Sequence, residues 1–540
     1  MGRRGVSNGS GKAGIVLLTL ASGQFLMTLD SSVMNVSIAQ VAEDVGTTVT
    51  GVQTAITLYT LVMATMMITG GRIGTIIGPK RAFTIGCVIY AAGSFTTALA
   101  QNLTVLILGW SFLEGIGAAL IMPAIVALVA SNFPAAARPR AYGLVASAGA
   151  IAVAAGPLIG GAVTTLWTWR LVFAGEVVIV VAIVLLTGRI QAVQAERGRG
   201  RFDVLGVVLS AAGLGMAVYG VLRSSEWGWV LAKPSAPSLW GLSLTLCFIV
   251  AGAVVLLAFF AWERRVLAAG REPLVRTAML RNAQLTGGMT MFFFQFLIQA
   301  GLFFTVPLFL SVALGLSAFE TGVRLLPLSV TLLIAAIGVP KVWPQASPRR
   351  VVNWGLAALL VGILSLIVAL DAGAGPEIVT VPLLFAGLGV GALSSQLGAV
   401  TVSAVPDEES GEVGGLQNTA TNLGASLGTA LVGSVMISAL SASFFAGIAN
   451  NPAVPAETVK QGETQLASGV PFLSDEQLET ALTDAGLPEA EVEAISDVNA
   501  TARIDGLRIS LSVLALLAVL ALFLTQLLPT RPVGAGPPAG

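Results

Sequence analysis

Three acidic residues stand inside long apolar runs of this 540-residue chain: Asp30, Glu114 and Glu176. A charged side chain at the centre of a membrane helix costs about 2.5–3.5 kcal/mol on insertion scales. Desolvation penalises the ionised form of a carboxyl, so groups placed this way are candidates for taking up and releasing protons. At 1.5 Å of rise per residue, each lies roughly 12–15 Å from the same edge of its run. Three acids at one level form a candidate proton-binding layer. Glu114 has no base within a helical turn, and Gly115 and Gly117 beside it permit close backbone approach. Asp30 opens a polar stripe with Ser31 and Ser32 that runs on to Asn35. Asp30 and Glu114 are therefore the expected proton-coupling pair. Glu176 is six residues from Arg170, too far for a one-turn ion pair, and reads as a structural group held by water.

Other chemistries are excluded by what the chain lacks. It has no histidine, so no imidazole relay or ligand is available. Its two cysteines, Cys87 and Cys247, both sit in apolar runs, where a small thiol packs like a hydrophobe. A zinc or iron–sulfur centre needs more ligands than these. No nucleophile–base pair is legible, so an enzyme is not expected, and neither is a metal or an organic cofactor. A net charge of zero argues against nucleic acid as a partner.

The elements that must position the acids follow from composition. The chain is 55% hydrophobic and 10% charged, with mean hydropathy +0.88, whereas a soluble domain carries about 25% charged residues. An all-α, multi-pass membrane protein is expected. Runs of about 20 apolar residues occur near 14–38, 51–71, 82–101, 104–130, 141–164, 168–188, 204–222, 239–261, 286–313, 319–340, 351–370, 378–404, 414–446 and 506–528. The first is too long for the core of a signal peptide and should remain as an anchor. With the N-terminus inside, 21 of the 28 basic residues fall in loops on the cytoplasmic side. Both termini are then expected in the cytoplasm.

An internal repeat divides the chain. Arg72, Pro79, Lys80, Arg81 and Gly86 reappear 269 residues on as Lys341, Pro348, Arg349, Arg350 and Gly355. Pro134, Gly143, Leu144 and Gly156 reappear 272 residues on as Pro406, Gly415, Leu416 and Gly428. The expected organisation is a six-helix half over 1–203, two additional spans over 204–262, and a second six-helix half over 263–540. Parallel repeats of this kind place a substrate site between the halves, near the membrane midplane.

Residues at the loops and in the fifth span suit conformational gating: Gly71, Arg72, Gly78, Lys80 and Arg81, then Gly149, Gly156, Pro157, Gly160 and Gly161. Small residues let helices touch, and proline frees a carbonyl and bends the helix. The second half offers amides instead of acids. Gln295, Gln299, Gln396 and Asn418, with Asn35 from the first half, are the expected substrate-cavity residues, alongside phenylalanines such as Phe292 and Phe303. Amides with aromatics suit a hydrophobic or amphipathic substrate; the phenylalanines equally suit lipid contact. Arg324 is placed to snorkel at the end of its span. Residues 447–505 carry eleven acids against Lys460 and Arg503, as an outer lid or cation-attracting entrance. Ser474 opens a capping-box pattern there, and Pro488 is expected to start another short helix.

The motifs together resemble the fourteen-span drug:proton antiporter family of the major facilitator superfamily. The resemblance rests on Leu29-Asp30-Ser-Ser-Val-Met-Asn35, Gly149 through Gly156-Pro157-Leu-Ile-Gly160-Gly161, Trp169-Arg170-Leu-Val-Phe173, Gly322-Val-Arg324-Leu-Leu-Pro327 and Gly411-Glu-Val-Gly-Gly415-Leu-Gln417-Asn418. It implies a major-facilitator fold in the cytoplasmic membrane, substrates among drugs, antibiotics and dyes, and a proton gradient as driving force; a monomer among membrane lipids is expected. Five positions depart from the family pattern. Thr75 replaces an Asp and Pro79 an Arg in the loop after span 2, which implies a weakened or replaced latch. Ser111 and Glu114 stand where span 4 normally has Arg and Gln, and Glu176 stands where span 6 has Asn. Two further readings remain open: export of a lipid or cell-envelope precursor, and a transport-inactive sensor or scaffold.

Overall fold

The computed structural model describes residues 7–133, 138–190, 203–233, 236–271, 273–343, 345–371, 373–405, 410–466 and 470–531. Pro134, Pro406, Arg3, Arg4, Arg197, Arg199 and Arg201 lie outside the described residues, as does the side chain of Thr75.

Fourteen long helices are found among the described residues. The first six are α1 (Ser7–Val36), α2 (Val49–Ile77), α3 (Pro79–Ala98), α4, α5 (Arg138–Leu166) and α6 (Arg170–Thr187). Helix α4 is composite: Leu103–Leu106, a π-helical stretch over Ile107–Glu114, and Gly115–Asn132. Then follow α7 (Val204–Leu222), α8 (Leu244–Ala268), α9 (Ala283–Leu308), α10 (Ala318–Val342), α11 (Pro348–Ala369), α12 (Thr380–Val402), α13 (Ser410–Asn450) and α14 (Glu489–Leu524). Their starts are written in the sequence. The side chains of Thr48, Asn102, Asp203, Ser243, Asn282, Ser317 and Ser347 each accept from a backbone N–H of the helix they precede, satisfying donors the helix cannot pair itself. Gly78, at φ 94, turns α2 directly into α3, which opens on Pro79.

Twelve of these helices are long and apolar enough to cross a membrane. The exceptions are α3 and α5. Helix α3 carries Lys80 and Arg81 in its first turn and buries the polar-tipped Tyr90, Ser94 and Thr97. Helix α5 counts only through its apolar stretch Ala155–Leu166.

The first half packs α1 on α5, α3 on α4 and α6, and α2 on α4; the second packs α9 on α13, α12 on α10 and α11, and α14 on α13 and α11. Of the additional pair, α7 lies against α2 and α13, one of the two helix pairs through which the halves meet; the other is α5 and α10. The repeat is visible in the packing. An alanine methyl at Gly117 in α4 would lie 2.7 Å from the Tyr90 nitrogen, and one at Gly389 in α12 would lie 2.7 Å from the Leu359 nitrogen. Only glycine fits at either crossing.

Beyond the membrane bundle, α13 and α14 extend to enclose a small folded unit. Ser474 and Gln477 close a capping box on the helix Asp475–Asp484. Arg503 is buried among these segments, donating to the Leu473 carbonyl and pairing with Asp475. Pro488 does not start a separate short helix as the sequence suggested: it precedes Glu489–Leu524, which continues unbroken into the last apolar run. Nothing in the Pro488-Glu-Ala-Glu stretch interrupts helix propagation, and no turn residue follows it.

Candidate functional site

All three buried acids converge. Oxygens of Asp30, Glu114 and Glu176 lie within 4.8 Å of one another, and the residues are 0%, 0% and 1% exposed. Each comes from a different helix. Asp30 sits on α1 and Glu176 on α6, while Glu114 ends the π-helical stretch of α4. π-Stretches often occur at functional sites; here the wider turn carries both Trp110 and Glu114.

A shell of neutral donors holds the cluster. The Trp110 indole Nε1–H donates to both oxygens of Asp30, at 2.9 and 3.0 Å. Tyr59 on α2 stacks on Trp110 with ring centroids 5.0 Å apart and planes 7° from parallel. Glu176 Oε2 accepts from the Tyr90 hydroxyl at 3.2 Å and from Ser94 Oγ at 3.1 Å. Glu114 Oε1 accepts from Thr97 Oγ1 at 3.0 Å. Two carboxyl oxygens, Glu114 Oε2 and Glu176 Oε1, have no hydrogen-bond partner, and neither does the Tyr59 hydroxyl. A buried polar atom left unpaired is expensive, so the two orphan oxygens mark where an added proton changes the energetics most. A protonated carboxyl becomes a donor, and its neighbours are acceptors.

The three carboxyls are also close enough to face a metal ion. Indole, phenol and hydroxyl donors already face four of the six carboxyl oxygens, Glu114 Oε2 and Glu176 Oε1 being the exceptions.

The expectation for Glu176 is corrected: it belongs to the cluster and hydrogen-bonds protein side chains. Arg170 is engaged elsewhere, with Asp44 at 2.8 Å and the Ala100 carbonyl at 2.8 Å. The Trp169 indole donates to the same Asp44 oxygen at 2.9 Å, so Trp169 and Arg170 clasp the start of α6 to the turn before α2. Sequence reading missed Trp110, Tyr59, Tyr90, Ser94 and Thr97. The signal was present in α3, where Tyr90, Ser94 and Thr97 recur at i, i+4 and i+7 and so share one face.

The expected substrate-cavity residues are found on four helices. Asn35 bonds within α1, to the Ser31 carbonyl at 2.7 Å. Gln295 is buried and donates to Ser394 at 2.8 Å, tying α9 to α12. Gln299 keeps an unpaired Oε1, Gln396 donates to its neighbour Ser395, and Asn418 accepts through its carbonyl from Asn422. The expected gating glycines fall at contacts. Gly149 lies against Gln24, Gly156 against Ser32 and Gly160 against Val33, all joining α5 to α1. Gly161 meets Ala318, and Pro157 meets Gly322, across the halves. The halves are also joined by Gln53 donating to the Thr429 carbonyl, Ser426 to the Thr57 carbonyl and the Phe319 N–H to Thr165. Gly71 approaches Pro123, and Lys80 donates to the Ile190 carbonyl at 2.8 Å.

Residues 20–429 match the Major Facilitator Superfamily. The chain belongs to that superfamily. It is 30% identical to the tetracenomycin C resistance and export protein of Streptomyces glaucescens, over 78% of this chain and 76% of that protein. It is 26% identical to the multidrug efflux pump LfrA of Mycolicibacterium smegmatis, over 92% and 96%. Among solved structures, an inward-facing bacterial homologue of the human lysosomal transporter Spinster superposes with a TM-score of 0.62 at 14% identity, covering 97% of this chain and 99% of that one. This is a multi-pass membrane transporter rather than an enzyme, similar to antibiotic and multidrug efflux proteins.

Proposed function

We propose that this major-facilitator protein exports hydrophobic or amphipathic molecules across the cytoplasmic membrane in exchange for protons, and that Asp30, Glu114 and Glu176 together carry the protons. The observation behind this reading is the convergence of three carboxyls on neutral donors, with two oxygens left unpaired. Two unit charges 4.8 Å apart repel by about 3.5 kcal/mol at an effective dielectric constant of about 20. Three ionised groups would pay that repulsion pairwise, on top of burial.

In this reading two protons are shared among the three groups, held at the unpaired oxygens of Glu114 and Glu176. One charge remains on Asp30, beneath the Trp110 N–H. Ionising the cluster costs energy while it is sealed in protein, so proton release and the opening of one half against the other are linked. Asp30 is on α1, which packs on α5; α5 in turn meets α10 across the halves through Pro157–Gly322. A change at the cluster thus has a short route to the seam. With the basic loops cytoplasmic and all fourteen helices spanning, the seam contacts of Thr165, Phe319 and Gln53 close the outer end. No resident cofactor enters this scheme.

The names of the relatives favour antibiotics and other drugs as substrates. The test is a proteoliposome assay with a cationic dye and an imposed pH gradient. Glu114→Gln and Glu176→Gln should each abolish gradient-driven transport; unchanged transport in both would refute the assignment.

A further inference from the structure

The repeated basic turns of the two halves have different fates. In the first half Lys80 is tied to the Ile190 carbonyl. In the second half Arg349 and Arg350, the counterparts of Lys80 and Arg81, line an open cavity of about 750 Å³ between the start of α11 and the end of α14. The backbone closes the base of this cavity, where the Arg349 N–H donates to the Pro529 carbonyl at 3.3 Å.

The lining has two chemistries at two levels. Arg349, Arg350, Asn353 and the Thr530 hydroxyl form the polar part, while Trp354 and Phe523 stand deeper along their helices. Trp354 is 65% exposed and Phe523 66%, as side chains facing lipid are. Neither guanidinium has an ion-pair partner among the described residues, and no acid occurs anywhere in residues 321–370 or 506–540. Asn353 Oδ1 is buried and accepts no hydrogen bond. Two unpaired cations, an unpaired acceptor beside them and an aromatic groove running toward the membrane interior describe a complement to a phospholipid. The phosphodiester suits the arginines, a headgroup hydroxyl suits Asn353, and an acyl chain suits Trp354 and Phe523. Basic pockets between membrane helices are known to take anionic headgroups.

We propose that this cavity binds one anionic glycerophospholipid with a hydroxylated headgroup, of the phosphatidylglycerol type. The lipid joins α11 to α14 at the basic face of the second half.

Trp354 reports its own site. The full chain is reconstituted in phosphatidylcholine vesicles containing either brominated phosphatidylglycerol or brominated phosphatidylcholine. Its share of the emission is taken as the difference between the parent and Trp354→Phe. Brominated phosphatidylglycerol should quench that share at the lower mole fraction, with a preference of about fivefold per arginine. Arg349→Gln with Arg350→Gln should bring the two lipids to parity, and Arg349→Lys with Arg350→Lys should keep most of the preference. Equal quenching in the parent would overturn the proposal without reference to any variant. An unchanged preference in the glutamine variant would also overturn it. Excess inorganic phosphate should leave the quenching intact; displacement would reassign the cavity to free phosphate.

Discussion

The two halves use one scaffold for opposite purposes. In the first, α3 crosses α4 at Gly117, and Gly93 abuts the backbone nitrogen of Glu114. In the second, α11 crosses α12 at Gly389, and Gly362 abuts the backbone nitrogen of Ala386. The contacts correspond residue for residue, yet Ala386 occupies the place of Glu114. The face of α3 that carries Tyr90, Ser94 and Thr97 is occupied in α11 by Leu359, Ile363 and Leu366, all fully buried. The crossing geometry therefore makes no demand for acid chemistry. It was placed on one half, with its donor shell, and the other half has an apolar core at the corresponding crossing.

That comparison can be broken most directly by exchanging the two sites. Ala386→Glu puts a carboxyl among leucines with no donor shell and should destabilise the protein by about 3 kcal/mol or more, read as a lower melting temperature in detergent. The reciprocal Glu114→Gln should leave melting nearly unchanged while gradient-driven transport falls below detection. A harmless Ala386→Glu would show that the crossing in the second half tolerates a carboxyl without a donor shell. Next in size is Trp110→Phe, which removes the donor that bridges both Asp30 oxygens. Hydrogen bonds to charged groups are worth about 1.5–3 kcal/mol, so transport should fall about tenfold or more; the ring stacked on Tyr59 is retained.

The shared scaffold makes a paired prediction. Gly117→Ala and Gly389→Ala should each cost about 1–3 kcal/mol of stability through overpacking, in similar amounts. A large inequality in melting would show that the crossings are not equivalent. The smallest effect belongs to Thr97→Val, which deletes one neutral donor to Glu114. It should slow transport about fivefold, corresponding to about 1 kcal/mol, while Leu366→Thr in the second half leaves transport unaltered.

Much of this was legible in the chain. Apolar runs located the helices, capping residues marked many of their starts, and the repeat of Arg72 through Gly86 in Lys341 through Gly355 announced the two halves. Asp30 and Glu114 were recognisable because an acid in an apolar run is costly wherever it faces. Their meeting with Glu176 was not legible, since it depends on how α1, α4 and α6 rotate about their axes, which no local pattern fixes. Glu176 was instead judged by its distance along the chain from Arg170, whose partner proved to be Asp44. Trp110 and Tyr59 were hidden for another reason: an aromatic in an apolar run looks the same whether it faces lipid or holds a carboxylate.

The central claim is that the cluster carries protons and is not merely part of the packing. Counterflow separates these roles, because exchange of labelled for unlabelled dye across vesicles at equal pH needs the conformational cycle but no net proton movement. Glu114→Gln should retain counterflow and lose accumulation driven by a pH gradient. Loss of both activities, or retention of both, would contradict the account.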